Sequence, residues 1–182
     1  MSTPFRHKPS DMDETSFLAT FGGIYEHSPW IAEAAWAGRE GDSLDTVEGL
    51  AAAMKAAVDA ASEDAKLKLI CAHPDLAGKA AIRGDLTVES RSEQAGAGLD
   101  QCSAEEFATF RSLNAAYKEK FGFPFIIAVK GLDRQGILAA FRARLNHDRT
   151  QEFETALDQI HRIAGFRLAE LAEGLTLKDR PL

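Results

Sequence analysis

Thr150-Gln151-Glu152-Phe153-Glu154-Thr155-Ala156-Leu157-Asp158-Gln159-Ile160-His161-Arg162-Ile163-Ala164-Gly165-Phe166-Arg167-Leu168-Ala169-Glu170-Leu171-Ala172-Glu173 carries the clearest periodicity in the chain. Phe153, Ala156, Leu157, Ile160, Ile163, Ala164, Leu168 and Leu171 recur at helical spacing, so one face of a long helix is expected to meet a core, with Gly174 as its stop. Arg167 falls on that same face, in step with Ile160, Ala164 and Leu171. A guanidinium is almost never fully buried without a partner, so Arg167 either pairs with an internal carboxylate or lines a pocket. Arg162 follows Asp158 by one helical turn and reads as a surface ion pair.

Other helices are announced by their ends. Ser28-Pro29 is expected to cap a helix through Trp30, Ala34, Ala35 and Trp36 that Gly38 closes, and Ser43 to cap the alanine-rich run from Ala51 to Ala61. Ser62 to Cys71 reads as a further helix. Ser103 and Glu106 form a capping-box pattern before Phe107, Phe110, Leu113, Ala116, Tyr117 and Phe121, with Gly122 as the stop. Only Phe123-Pro124-Phe125-Ile126-Ile127-Ala128-Val129 looks β-like, and one such stretch cannot make a sheet. It is expected to be a buried extended segment whose backbone groups need partners from elsewhere. The fold class is therefore all-α, a single-domain multi-helix bundle with one buried extended segment over residues 1–182, the first ten residues forming a loosely ordered arm.

Length and charge narrow the function. At 182 residues the chain can bury a core without staples, and no repeat or linker divides it. The net charge of −7 disfavours nonspecific binding to nucleic acid or anionic membranes. No uncharged apolar stretch approaches membrane-spanning length. Cys71 and Cys102 lack metal-ligand spacing and read as buried thiols in a reducing compartment. There is no Walker phosphate loop, dinucleotide glycine fingerprint or zinc-binding His-Glu-x-x-His motif. His7, His27, His147 and His161 are isolated and receive no catalytic role.

His73 stands apart because Pro74 and Asp75 follow it directly. A residue before proline is pushed out of helical geometry, so the imidazole sits where a helix opens into a loop and is suited to giving or taking a proton near neutral pH. Downstream, Thr87 is a candidate N-cap, and Ser90, Glu93 and Gln94 share one helix face. That face is chemically versatile, although a polar helix face is ordinarily just solvated. Residues alone leave three readings open: an enzyme using these groups, a noncatalytic helical interaction domain, and a metal-assisted hydrolase using His73, Asp75 and Glu93.

Four motifs in order narrow the choice. They are Ala72-His73-Pro74-Asp75-Leu76-Ala77-Gly78-Lys79; Ser90-x-x-Glu93-Gln94 leading to Ala97-Gly98-Leu99; Phe121-Gly122-Phe123-Pro124-Phe125-Ile126-Ile127; and Arg162-Ile163-Ala164-x-x-Arg167. Together they resemble the 2-oxo-4-hydroxy-4-carboxy-5-ureidoimidazoline (OHCU) decarboxylase family of the urate-to-allantoin pathway, from roughly Phe17 to Glu173. The resemblance implies a mostly helical, cofactor-free homodimeric enzyme acting on a small ureidoimidazoline. It assigns His73 and Glu93 as catalytic. It assigns Pro74, Ser90, Arg91, Ser92, Gln94, Arg167 and the main chain of Phe125, Ile126, Ile127, Ala128 and Val129 to substrate binding, with no metal ligand. Arg180-Pro181-Leu182 is not a Ser-Lys-Leu peroxisomal address, so a cytoplasmic enzyme of bacterial type is expected.

Overall fold

The protein is described here by a computed structural model covering residues 2–78 and 84–174. Lys79 of the first motif and the Arg180-Pro181-Leu182 tail lie outside the described residues. Eight α-helices are seen among the described residues: α1 Glu14–Phe21, α2 Trp30–Ala37, α3 Val47–Ala60, α4 Glu63–Cys71, α5 Val88–Gly96, α6 Ala104–Phe121, α7 Arg134–Arg144 and α8 Arg149–Ala172. No strand accompanies them among these residues, and an isolated bridge joins Pro4 to Thr46. None of the described helices is long and apolar enough to cross a membrane. The all-α class expected from the sequence is what forms.

Contacts cluster into two compact units. The first comprises residues 2–72 and 161–174, which hold α1 to α4 and the last turns of α8. Its aromatic centre is Phe17, whose ring centroid lies 4.9 Å from Phe21 and 4.8 Å from Trp36. Leu50, Met54 and Val58, one turn apart on α3, are fully buried. In the amino-terminal segment expected as an arm, Phe5 is buried edge-on against Phe21 at 5.1 Å, and its N–H donates to the Asp45 carbonyl at 3.0 Å.

The second unit, residues 73–78 and 84–160, is centred on Tyr117 of α6. Phe121, Phe123, Phe125 and Phe141 surround its ring at centroid distances of 4.5, 6.0, 5.3 and 5.9 Å. Phe125 and Phe141 stack at 3.7 Å. The stretch from Pro124 to Val129 runs through this core without helix, turn or bend. All of it is buried except Ile127, which is half-exposed.

Helix ends follow the sequence in most places. Ser62 and Thr87 cap α4 and α5, the Ser103–Glu106 capping box opens α6, and Gly122 closes it at a left-handed φ of 80°. Two caps differ. Pro29 brings no N–H to the start of α2, and the Ser28 hydroxyl reaches back to the Glu26 carbonyl at 2.9 Å instead. Ser43 accepts from the Glu40 N–H in a preceding turn, and Thr46 caps α3 by accepting from Gly49 at 3.1 Å. Three surface expectations are also corrected. Cys71 is exposed and Cys102 half-buried rather than buried, burial pushing the Cys102 thiol upward. Asp158 and Arg162 are exposed without an ion pair among the described residues. On α8 the fully buried positions are Glu152, Ala156, Ile160, Ala164, Arg167, Leu168 and Ala172. Phe153, Leu157, Ile163 and Leu171 flank that stripe, half-exposed.

Candidate active site

α4 stops at Cys71, with Ala72 as its C-cap, so His73 opens the loop as the following proline requires. The imidazole is buried, 8% exposed. The loop beyond it bends tightly. Ala77 takes a left-handed φ of 47°, which costs a residue with a side chain and needs outside support. A Cβ on Gly78 would come within 2.6 Å of the Asp75 Cβ, so glycine alone fits there.

The support comes from two helices of the same unit. Gln94 on α5 accepts from the Ala77 N–H at 3.1 Å, and its amide nitrogen lies 3.5 Å from the Asp75 carbonyl. Asn114 on α6 donates to the Leu76 carbonyl at 2.9 Å. Lys118, one turn further on, pairs with the Asp75 carboxylate at 2.6 Å. The other Asp75 oxygen, in the loop, and the Asn114 carbonyl oxygen, on α6, are buried without a hydrogen-bond partner among the described residues, which costs stability.

Gln94 thereby joins the His73 loop to the polar face of α5. Ser90 and Gln94 are buried there, so this face is not a solvated one. Glu93 and Ser92 are half-buried beside them. Arg91 is exposed and donates to the Gly84 carbonyl at 2.8 Å. His73, Ser90 and Glu93 each engage a partner. Among the described residues, no group of His, Cys, Asp or Glu side chains, including His73, Asp75 and Glu93, is arranged to hold a metal ion.

The extended segment is held by a charged cluster that sequence reasoning missed. Arg144 of α7 donates through Nη1 to the Ile126 carbonyl at 2.6 Å. Its Nε and Nη2 donate to Glu152 of α8 at 3.0 and 2.9 Å. Glu152, fully buried, also accepts from the Tyr117 hydroxyl, and His147 Nδ1 lies 2.7 Å from its other oxygen. Burial pushes the Glu152 carboxyl upward, but the bonds from Arg144, Tyr117 and His147, with the Arg144 charge, outweigh it and hold the group below its ordinary value. Burial and the bond to Glu152 drive the Tyr117 phenol upward. A signal was available: Asn114, Arg144 and Glu152 each occupy an apolar stripe, as in Phe110-Asn114-Tyr117 and Glu152-Ala156-Ile160.

Arg167 belongs to the other unit, and there it pairs with an internal carboxylate. Its Nη1 donates to Glu26 at 3.1 Å and to the Ile24 carbonyl at 3.1 Å, with both side chains buried. Glu26 sits in the α1–α2 connection beside His27, which at a φ of 46° is, like Ala77, a non-glycine residue in the left-handed region. A shallow hollow lined by Ala97, Glu106, Asp133, Arg134 and Gln135 contains none of the expected site residues. Its arginine is already tied to Glu106 at 3.2 Å and the Gly98 carbonyl at 3.0 Å.

Known proteins share this chain's pattern over most of its length. The sequence profile of the OHCU decarboxylase family matches residues 10–169. The 2-oxo-4-hydroxy-4-carboxy-5-ureidoimidazoline decarboxylase of Haloferax volcanii is 47% identical over 159 residues, covering 87% of this chain and 90% of its own. The uric acid degradation bifunctional protein PucL of Bacillus subtilis is 43% identical over 162 residues, 89% of this chain and 31% of that longer protein. Among solved structures, that of (S)-allantoin synthase superposes with a TM-score of 0.72 at 39% identity, covering 89% of this chain and 51% of the other. With a profile match over most of its length and a relative of this identity, the chain belongs to the OHCU decarboxylase family.

Proposed function

We propose that this protein decarboxylates 2-oxo-4-hydroxy-4-carboxy-5-ureidoimidazoline to (S)-allantoin in urate breakdown. In this reading it is a cytoplasmic, cofactor-free homodimer formed from single-domain chains, with His73 and Glu93 at the reacting centre. The observation that carries the proposal is the Gln94 bridge: one buried amide ties the strained His73 loop to the helix bearing Ser90 and Glu93.

The substrate supplies its own electron sink. As the bond from the ring carbon to the carboxylate breaks, its electron pair moves into the ring and the adjacent imine nitrogen takes up the charge. A proton then returns to the ring carbon bearing the ureido group, and the neighbouring hydroxyl becomes a carbonyl. The chain must orient the leaving carboxylate and deliver that proton to one face. His73 is the donor in this scheme, with Glu93 orienting substrate or imidazole. Pro74, the Ser90–Gln94 face, with Arg91 and Ser92, and the main chain of Phe125 to Val129 bind the ring and ureido groups. Arg167 is assigned by its motif to substrate oxygens other than the departing carboxylate, because clamping that group would stabilise the ground state and oppose catalysis.

The test generates the unstable substrate in situ from urate and follows optical activity by circular dichroism. The protein should accelerate formation of one allantoin enantiomer over the slow spontaneous racemic route, and activity should survive EDTA and dialysis. A trace identical to the enzyme-free control, with substrate supply confirmed, overturns the reading. Loss on chelation, restored by a divalent metal, overturns its metal-free chemistry.

A further inference from the structure

The segment from Pro124 to Val129 runs without helix, turn or bend, and side chains hold its backbone at two points. The two residues held are Ile126 and Ala128. Arg144 donates to the Ile126 carbonyl at 2.6 Å, and the Ala128 N–H donates to Gln159 Oε1 at 3.0 Å. Ile127 lies between them. It is half-exposed, and its main chain makes no hydrogen bond among the described residues.

An open edge of extended chain presents a donor and an acceptor in the alternation that a neighbouring strand would match. A ureide or cyclic amide carries the same alternation of N–H and C=O. We infer that Arg144 and Gln159 are positioning residues: they fix the backbone on either side of Ile127 so that its N–H and C=O are held ready for a ureide ligand. The inference rests on the decarboxylase reading, in which Phe125 to Val129 bind substrate through their main chain.

Both holders are themselves fixed. Glu152 accepts from Arg144 Nε and Nη2 at 3.0 and 2.9 Å, and the guanidinium lies 4.3 Å over the Phe125 ring. Glu152 and Gln159 stand two turns apart on one face of α8, so a single rigid helix sets the spacing of the two holds.

The experiment compares Arg144→Lys, Gln159→Met and Gln159→Glu in the full chain, with Tyr117→Phe as a variant that removes one bond to Glu152 and leaves both hydrogen bonds to the segment in place. Folding is checked by circular dichroism and Tm, and KM and kcat are measured on substrate generated in situ beside the wild type. An ammonium cannot reach Glu152 and the Ile126 carbonyl with one planar fork, and methionine offers no acceptor to Ala128. Both changes should raise KM about tenfold, the worth of roughly one hydrogen bond, and leave kcat nearly unchanged, as uniform binding requires. Gln159→Glu keeps the acceptor and should restore KM. Tyr117→Phe should lower Tm and leave KM alone. Gln159 is half-exposed on a helix that tolerates methionine, so that variant decides the matter even if Arg144→Lys does not fold. An unmoved KM in folded Gln159→Met overturns the positioning role, as does a KM rise in Tyr117→Phe equal to it. A wild type without turnover overturns the decarboxylase reading and this inference together, whereas turnover with unmoved KM overturns the inference alone.

Discussion

Two non-helical stretches of the second unit, His73–Gly78 and Pro124–Val129, are held in opposite ways. The first is gripped by the neutral amides of Gln94 and Asn114 and by a partly exposed Lys118–Asp75 pair, and it contains a left-handed alanine and an Asp75 oxygen without a hydrogen-bond partner among the described residues. The second is fixed by a buried ion pair, a phenol and stacked rings. Neutral hydrogen bonds contribute about 1 kcal/mol each, whereas a buried charge stripped of its partner costs several. The contrast separates two tasks: the loop carrying the imidazole is strained and lightly held, while the segment assigned to ligand binding is embedded in a densely bonded charged cluster. Removing the buried charge that holds the segment should therefore cost mainly stability, and replacing the imidazole in the loop mainly turnover.

The largest effect belongs to the buried pair. Glu152→Ala leaves Arg144 without its counter-ion and should destabilise the protein by about 3–5 kcal/mol in urea unfolding. A loss under about 1 kcal/mol would put the segment on the same footing as the loop and end the contrast. The same carboxylate sets a pH dependence. Its folded-state pKa is depressed, so its contribution is present above the unfolded carboxylate value and is lost as pH falls through the folded one. Glu152→Gln should accordingly flatten the acid side of the stability curve, and an acid limb identical to wild type would show that Glu152 does not govern it.

For the loop, the decisive change is His73→Asn. Turnover should fall by about 10²-fold or more, the scale of positioned acid–base catalysis, while Tm stays close to wild type. Near-normal turnover in the folded variant removes His73 from the chemistry. Gln94→Leu comes next. It deprives the Ala77 N–H of its acceptor in a buried, strained turn and should cost about 1–3 kcal/mol. Gln94→Glu retains that acceptor, so equal destabilisation by both variants would mean that the bond to Ala77 is not what holds the turn.

These expectations trace a boundary in what the sequence discloses. Local signals were readable because each is decided within one turn of chain: the proline that ends α4 before His73, the capping box of Ser103 and Glu106, the left-handed Gly122. α7 was not read, since Gly136 in its first turn and Gly131 before it look like breakers, although Asp133 caps it by accepting from the Gly136 N–H at 2.8 Å. The α3 start slipped by one turn because Ser43 and Thr46 are both competent caps. In the site, the His73 loop and the Ser90–Gln94 face were recognisable as motifs, but their burial was not, since Gln94 meets Ala77 across 17 residues of sequence. Glu26 was invisible as the partner of Arg167 for the same reason, at a separation of 141. Arg144 and Glu152 were a different kind of miss: the stripe argument that singled out Arg167 applies to them equally.

The smallest effect is expected at the loop's rim. Lys118 and Asp75 meet at 2.6 Å, but their side chains are 48% and 24% exposed, so water and salt screen the pair and two flexible side chains lose freedom to hold it. Lys118→Met should therefore change stability by no more than about 1 kcal/mol, with the difference shrinking as ionic strength rises. Its effect on turnover should be as small, because the Ala77 and Leu76 backbone groups remain tied to Gln94 and Asn114. A turnover loss comparable to that of His73→Asn would show that the Asp75 carboxylate, with one oxygen already orphaned, depends on Lys118 to keep the loop in register. The lightly held stretch would then be anchored by charge as well, and the distinction between the two stretches would be one of burial alone.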